Sequence, residues 1–225
     1  MKVLIAADME GISGVVHWDQ VDPKHPEYAR FRKLMTADVN AAIRGASAAG
    51  ADEIVVSDGH SWGRNILIEE LDPRATLNSG TPSPLSMVQG VDQGVDGVMF
   101  VGYHAKIGTP NAILEHTWSD ERVANLWLKA ADQPDYQTFG EIGLNAAVCG
   151  HFNVPVLMIS GDQAACAEAS NLLGNVETAV VKWASSRMAA ECLHPEEAQQ
   201  KIQQAAYQAI SHLVRGGRYQ EAWLL

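Results

Sequence analysis

Short apolar runs alternate along the chain with longer segments in which apolar residues recur every three or four positions. The short runs are typical of strands buried on both faces, and the longer spacing is typical of helices that cover a sheet. Strands are predicted at residues 2–7, 53–57, 97–102, 154–159 and 177–182. Helices are predicted at residues 28–50, 140–151, 162–173 and 195–214, with Asp162 as an N-cap. This order predicts an α/β fold, a three-layer αβα sandwich with a mainly parallel sheet.

One segment departs from this alternation. Between Thr109 and Asp135, the β-like pieces AILEHTW and RVANLWL flank the turn SDE and are followed by the loop-like KAADQPD. We expect a β-hairpin excursion near residues 109–135 that lies over the functional site. Because neither an internal repeat nor a linker interrupts the sequence, residues 1–225 are predicted to form a single domain.

Composition and charge exclude several classes of protein. The 225 residues are 47% hydrophobic, which is enough for a substantial core, and they carry a formal charge of −11. This charge opposes binding to nucleic acid or to anionic membranes. The N-terminal apolar stretch is too short for a signal sequence and no segment reaches spanning length, so the expected location is the cytoplasm. The three cysteines show neither a disulfide framework nor Cys-x-x-Cys spacing.

Three predicted strands end on side chains that bind metals. Asp8 and Glu10 follow the first, His60 the second and His104 the third. The carboxyl ends of parallel strands share one edge of a sheet, so we expect these side chains to converge. Asp8 and Glu10 would face the same side if the strand continued through Glu10. Taken singly, each motif has a plainer explanation, such as a capping aspartate, a solvated glutamate or a histidine in a surface turn.

Glu141 stands where a helix is predicted to begin. One explanation is a favourable interaction with the helix dipole. The other is a fifth metal ligand. Two four-coordinate zinc ions need about eight coordination positions, and five side chains with one bridging carboxylate and a bridging hydroxide supply them. Three carboxylates and one hydroxide also balance the charge of two divalent ions.

Five ordered motifs resemble the zinc-dependent D-aminopeptidases associated with bacterial dipeptide transport operons. They are DMEGISG at 8–14, SDGHS at 57–61, GYHA at 102–105, GEIGLN at 140–145 and VPVLMISGD at 154–162. The resemblance implies a binuclear zinc aminopeptidase that acts on short peptides containing D-amino acids, assembled as a ring-like decamer. The metal ligands that it implies are Asp8, Glu10, His60, His104 and Glu141.

By the same resemblance the catalytic histidine is His116, as a proton shuttle or as a nucleophile. We favour the shuttle because the metals already supply the nucleophile. The plainer explanation is a polar residue that alternates along a hairpin. Lys182 and Arg187 could contact a substrate carboxylate or could be solvated charges at a strand end. Glu115, Asp120 or a metal could bind the substrate amino group.

The chain also departs from the family pattern. The segment between His116 and Glu141 is longer, and the chain ends at residues 218–225, where the family continues into a β-containing region. We therefore expect the family's C-terminal region to be lacking and stability, assembly and activity to be impaired. The alternative functions are another binuclear metal-dependent amidase or phosphoesterase, or an inactive truncated remnant. Carboxylate and imidazole ligands would also accept manganese or cobalt.

Overall fold

The part of the chain that the structure describes forms a large sheet, a short second sheet and four α-helices. The computed structural model describes residues 1–129, 134–217 and 219. The strands within these residues are β1 (Lys2–Ala7), β2 (Glu53–Asp58), β3 (Ala75–Asn78), β4 (Gly97–Val101), β5 (Trp127–Leu128), β6 (Gln137–Thr138), β7 (Val156–Asp162), β8 (Glu177–Ser186) and β9 (Ala189–Cys192). The α-helices are α1 (Tyr28–Ala48), α2 (Glu141–His151), α3 (Gln163–Leu173) and α4 (Pro195–Val214).

The large sheet has the strand order β3-β2-β1-β4-β7-β8-β9. Neighbouring strands run parallel except for β9, which pairs antiparallel with β8. The chain passes from β1 to β2 on one side and later returns to β4 on the other side of β1. In an open α/β sheet this change of direction creates a crevice at the carboxyl ends of the strands.

Helices cover both faces of the sheet. Along β1, Val3 and Ile5 pack into the core shared with α1 and α4, whereas Leu4 and Ala6 pack into the core shared with α2 and α3. Successive strand residues point to opposite faces, so a strand covered on both sides must be apolar throughout. The predicted three-layer αβα sandwich with its mainly parallel sheet is thus confirmed.

Two strands of the large sheet escape sequence prediction. β3 and β9 have the sequences ATLN and AAEC, and both lie at edges of the sheet, where most of their residues are partly or fully exposed. Edge strands need little apolar sequence, because one side of them faces water. The five longer strands and four helices lie close to their predicted positions, and the Asp162 carboxylate caps α3 by accepting a hydrogen bond from the Ala165 N–H.

The predicted hairpin over residues 109–135 is only partly correct. The antiparallel pair is formed by β5 and β6, while residues 112–118 form no strand. Leu114 and Trp118 have φ angles of 49° and 64°, which interrupt an extended backbone. The Ile113 N–H donates instead to the Asp162 carboxylate at 2.6 Å. Residues 130–133 of the predicted loop lie outside the described residues, as do residues 218 and 220–225 at the end of the chain.

None of the helices in the described ranges is long and apolar enough to cross a membrane.

Candidate metal centre

The predicted metal ligands meet at the carboxyl ends of β1, β2 and β4. Asp8 and Glu10 come directly after β1, His60 after β2 and His104 after β4. Glu141 is the first residue of α2, which starts beside the same edge. All five side chains are buried, with at most 9% of each residue exposed to solvent. Residues that are distant in sequence thus converge in the crevice that the strand order creates.

The turn after β1 reaches its position through the backbone of the neighbouring strand. β1 ends at Ala7, as predicted, so Asp8 and Glu10 do not lie on a continuing strand. The Asp8 N–H donates to the Val101 carbonyl and the Gly11 N–H to the Gly102 carbonyl, both at 2.8 Å. A Cβ atom on Gly11 would overlap the Tyr103 carbonyl, so only glycine permits this approach. The close contact brings the two carboxylates of the turn towards the end of β4.

Asp8, Glu10 and His60 form one half of the cluster. The Nδ1 atom of His60 lies 3.3 Å from Asp8 Oδ1 and 3.2 Å from Glu10 Oε2. The other Asp8 oxygen, Oδ2, lies 3.4 Å from His104 Nε2. Asp8 therefore stands between the two histidines and faces one with each oxygen. A carboxylate in this position can bridge two cations.

His104, His116 and Glu141 form the other half. The Oε1 atom of Glu141 lies 3.3 Å from His104 Nε2 and 3.7 Å from His116 Nε2. The rings of His104 and His116 stack with their centroids 3.9 Å apart. Ligand atoms of these three residues lie within 4.8 Å of one another, and the same holds for Asp8, Glu10 and His104. His116 thus joins the predicted ligands and lies within reach of a metal itself.

All three histidines direct one ring nitrogen into the cluster and bind a backbone carbonyl with the other. The three hydrogen bonds, each 2.9 Å long, join His60 Nε2 to Val21, His104 Nδ1 to Ala105 and His116 Nδ1 to Leu114. Because the outer nitrogen donates its proton to the carbonyl, the inner nitrogen of a neutral ring carries a free lone pair. Metal-binding histidines characteristically have such a partner, which fixes both the tautomer and the orientation of the ring.

Buried atoms of the cluster that have no hydrogen-bond partner also indicate a cation site. Asp8 Oδ2, Glu10 Oε2 and His104 Nε2 are buried without a hydrogen-bond partner among the described residues. The ring nitrogens near these carboxylate oxygens lie at 3.2 to 3.4 Å but not in hydrogen-bonding geometry. Buried charged groups without partners are costly, and a shared cation would pair with all three atoms.

The pKa values of the cluster also indicate that it favours bound positive charge. Burial together with the charge of Glu10 raises the pKa of Asp8 to about 7. Burial lowers the pKa of His60 and of His104, but the adjacent carboxylates outweigh this effect and raise both well above the usual value. His116 differs, because burial and the charge of His104 lower its pKa, which leaves the ring neutral near pH 7. The carboxylates hold protons on His60 and His104 in the same way as they would hold a cation.

Two supporting contacts could not be deduced from the motifs. Asp58 lies two residues before His60, but the partner of the His60 ring is the Val21 carbonyl. Asp58 instead accepts hydrogen bonds from Asn65 and from the Ile66 N–H. Asn65 donates in turn to the His60 carbonyl at 2.6 Å. Asp58 therefore shapes the loop that carries His60 without contacting the imidazole.

Lys182 and Arg187 hold loops of the site in place. Lys182 is fully buried and donates only to backbone carbonyls, so both predictions for it, a substrate contact and a solvated charge, are wrong. Arg187 lies in the turn after β8, where its Nε donates to Glu115 Oε2 at 2.8 Å. Its backbone carbonyl accepts a hydrogen bond from the Leu114 N–H. Arg187 thereby supports the loop of His116, and Glu115 is engaged in this ion pair.

A cavity of about 550 Å³ opens above the cluster. Its walls include Trp18, Trp118, Asp22, Asp120 and Glu121. No lysine or arginine is found among the described residues that line it. The combination of a buried ligand cluster and a negatively charged cavity suits a small substrate that carries a positive charge.

Comparison with known proteins agrees with this geometry. Residues 1–222 match the family model described as D-aminopeptidase. The D-aminopeptidase of Bacillus subtilis (strain 168) is 42% identical over 198 residues, which cover 88% of this chain and 69% of that protein. A solved structure described as the Zn-dependent D-aminopeptidase DppA from Bacillus subtilis, a self-compartmentalizing protease, aligns with a TM-score of 0.88 and 37% identity, covering 99% of this chain and 77% of that one. The chain therefore belongs to the D-aminopeptidase family.

Proposed function

We propose that this chain is a single-domain metallopeptidase that removes N-terminal D-amino acids from short peptides, with D-Ala-D-Ala as a representative substrate. The observation that carries the proposal is the buried cluster of three carboxylates and three histidines at the base of the cavity. The family membership supplies the class of reaction. The zinc dependence stated for the Bacillus subtilis relative supports zinc as the metal.

We assign the binding of two zinc ions per subunit to Asp8, Glu10, His60, His104 and Glu141. These residues offer three carboxylates and two imidazoles, donors that zinc accepts readily. Asp8 would contribute to holding both ions, because each of its oxygens faces a different histidine. When bound, zinc supplies Lewis acidity, which polarises a peptide carbonyl and lowers the pKa of water.

His116 would move the proton in this reaction. Its Nδ1 atom is held by the Leu114 carbonyl, so the exchangeable position is Nε2, which faces the cluster. Because its pKa is lowered, the ring is neutral near pH 7 and can accept a proton from the attacking water. The same Nε2 atom would then deliver that proton to the leaving amine as the peptide bond breaks. The ring centroids of Trp18 and His116 lie 5.3 Å apart in an edge-to-face arrangement, and this contact restricts rotation of the imidazole.

The substrate amino group would lie in the negatively charged part of the cavity. Glu115 is occupied by Arg187, which leaves Asp120 of the two side chains suggested by the sequence. Asp22 also lines the cavity. A free α-ammonium is attracted by such carboxylates, whereas a phosphate ester would be repelled in a cavity whose described lining contains no lysine or arginine.

The test combines metal quantification with hydrolysis of D-Ala-D-Ala. The native chain is expected to bind zinc and to release D-alanine. Glu10→Gln is expected to lower both metal content and turnover, whereas His116→Ala is expected to keep the metal and lose kcat. The control is His151→Ala, an exposed histidine at the end of α2. Turnover of phosphate esters alone, or the lack of any near-stoichiometric transition metal, would refute the proposal.

We further propose that the protein acts in the cytoplasm as a homo-oligomer, in a ring-like decamer. The description of the Bacillus subtilis relative as self-compartmentalizing supports an assembly that encloses its active sites. Light scattering coupled to size-exclusion chromatography measures the subunit number directly. A monomer at micromolar concentration would contradict the assembly but not the chemistry of the site.

A further inference from the structure

Lys182 is a buried cation that binds the turn carrying two of the proposed metal ligands. It lies on β8, is 0% exposed, and its Nζ donates to the carbonyls of Glu10 at 2.6 Å, Ile12 at 2.9 Å and Val15 at 2.6 Å. An ammonium has three N–H donors and no acceptor, so these bonds use its full capacity. Neutral lysine has only two N–H groups and would leave one carbonyl unpaired. The geometry therefore requires the charged form.

A buried anion holds the same turn at another position. The carboxylate of Asp38, on α1, accepts hydrogen bonds from the Ser13 N–H at 2.9 Å and from the Ser13 hydroxyl at 3.0 Å. Residues 10–15 thus bind a cation through their carbonyls and an anion through the N–H and hydroxyl groups of Ser13. Neither Lys182 nor Asp38 is among the described residues that line the cavity. Their contacts act on the backbone of the turn and not on a substrate.

We propose that Lys182 is a positioning residue that fixes the carboxylates of Asp8 and Glu10 for metal binding. Its bond to the Glu10 carbonyl sets the peptide plane that follows Glu10, and its bonds to Ile12 and Val15 anchor the rest of the turn. Asp8 and Glu10 repel each other, and each lies within 3.4 Å of a histidine in the cluster, so a small rotation of this backbone would move the carboxylates out of place. Groups that orient metal ligands in this way commonly change metal affinity when they are removed.

This inference rests on the proposed metal site but not on the peptide substrate. Its primary measurement is therefore the zinc affinity of purified protein, determined by competition with a chelator. Lys182→Ala is expected to weaken zinc binding by about 10- to 100-fold, the range typical of residues that orient metal ligands. If the peptidase proposal fails while zinc still binds, the effect on affinity remains measurable and the two ideas are distinguished.

Two control variants separate positioning from loss of stability or charge. Val181→Ala removes buried volume from the neighbouring position of β8 and leaves the three hydrogen bonds from Lys182 to the turn in place. Lys201→Ala removes an exposed lysine of α4 that lies over the Trp183 ring. Both are expected to bind zinc with native affinity. A general effect of destabilisation would weaken zinc binding in Val181→Ala as well.

Chemical rescue gives a readout that a merely structural role would not produce. Lys182→Ala leaves space into which methylammonium, which keeps three N–H donors, can bind against the three carbonyls. Zinc affinity and kcat are expected to recover with methylammonium chloride in a saturable manner. Tetramethylammonium chloride at equal ionic strength has no N–H donor and is expected to restore nothing.

The proposal is wrong if folded Lys182→Ala binds zinc with native affinity, or if its loss of affinity equals that of Val181→Ala. It is also wrong if both ammonium salts act alike. Lys182→Met, which keeps most of the length of the side chain, replaces Lys182→Ala if the latter cannot be purified. If neither variant folds, even with methylammonium present, Lys182 is required for folding and the positioning role is rejected.

Discussion

The buried carboxyl group of Asp38 is expected to make the stability of the fold depend on pH. Burial raises its pKa from the usual 3.8 to about 6, although the N–H and hydroxyl groups of Ser13 lower it in part. Between pH 4 and pH 6 the folded state therefore binds a proton that the unfolded state has released. The carboxyl group favours folding fully below pH 4, and this contribution is lost as the pH rises through 6.

The magnitude follows from the difference between the two pKa values. A difference of about two pKa units corresponds to roughly 3 kcal/mol, since each unit is worth about 1.4 kcal/mol. Asp38→Asn removes the titration while keeping the shape of the side chain. Its oxygen can still accept from the Ser13 N–H, and its NH₂ group can donate to the Ser13 hydroxyl. The variant is therefore expected to gain about 3 kcal/mol on the native chain between pH 4 and pH 7.

The assay is urea unfolding of both proteins at pH 4, 5, 6 and 7, followed by circular dichroism. Groups that titrate equally in the two proteins cancel when the free energies of unfolding are subtracted. The series stops at pH 7 because burial lowers the pKa of Lys182 to about 8. A difference between the two proteins that stays constant across the series would refute the reasoning, whatever its size.

Three further predictions concern the metal centre and its supports. Chelation of the metal is expected to lower the unfolding temperature, because a ligand at 100 times its Kd adds about 2.7 kcal/mol to the free energy of unfolding. Calorimetry before and after zinc is restored measures the unfolding temperature, and an unchanged value would contradict the prediction. Gly11→Ala is expected to lower the free energy of unfolding by about 1–3 kcal/mol, since the new methyl group meets the rigid Tyr103 carbonyl. Urea unfolding measures this loss, and a midpoint equal to that of the native chain would exclude the overlap. Arg187→Ala is expected to lower kcat with unchanged zinc content, because Arg187 binds Glu115 in the loop that carries His116. The exposed ion pair itself contributes only about 1 kcal/mol or less to the free energy of unfolding. A native kcat would show that Arg187 does not have this role.

The strands that could be predicted from the sequence are those covered on both faces. β1 and β4 are apolar at every buried position, so they stand out in the sequence. The edge strands β3 and β9 are short and incompletely buried, and they carry no such signal. In residues 112–118 the alternation of apolar and polar residues suggested a strand, but tertiary contacts prevail, as in the bond from the Ile113 N–H to Asp162.

The site follows a similar division. Strand ends in a parallel sheet meet at one edge, so Asp8, His60 and His104 could be placed together from the sequence. The partners that orient them could not, because they are backbone atoms such as the Val21 carbonyl or residues far away in the chain. Lys182 is 172 residues from Glu10, and nothing in its neighbouring sequence indicates that it binds this turn. Assigning its role required the packing of the complete fold.

The base and the walls of the cavity come from different parts of the chain, which separates the chemistry of the site from its selectivity. The proposed metal ligands lie at strand ends and at the start of α2, whereas the walls are built largely by connecting segments around residues 18–23, 61–63, 80–87 and 118–121. Substitutions of residues in the cavity walls can therefore alter which peptides enter without displacing the carboxylates or imidazoles of the cluster. A library confined to these connections is therefore a practical route to new peptide preferences on an unchanged hydrolytic centre.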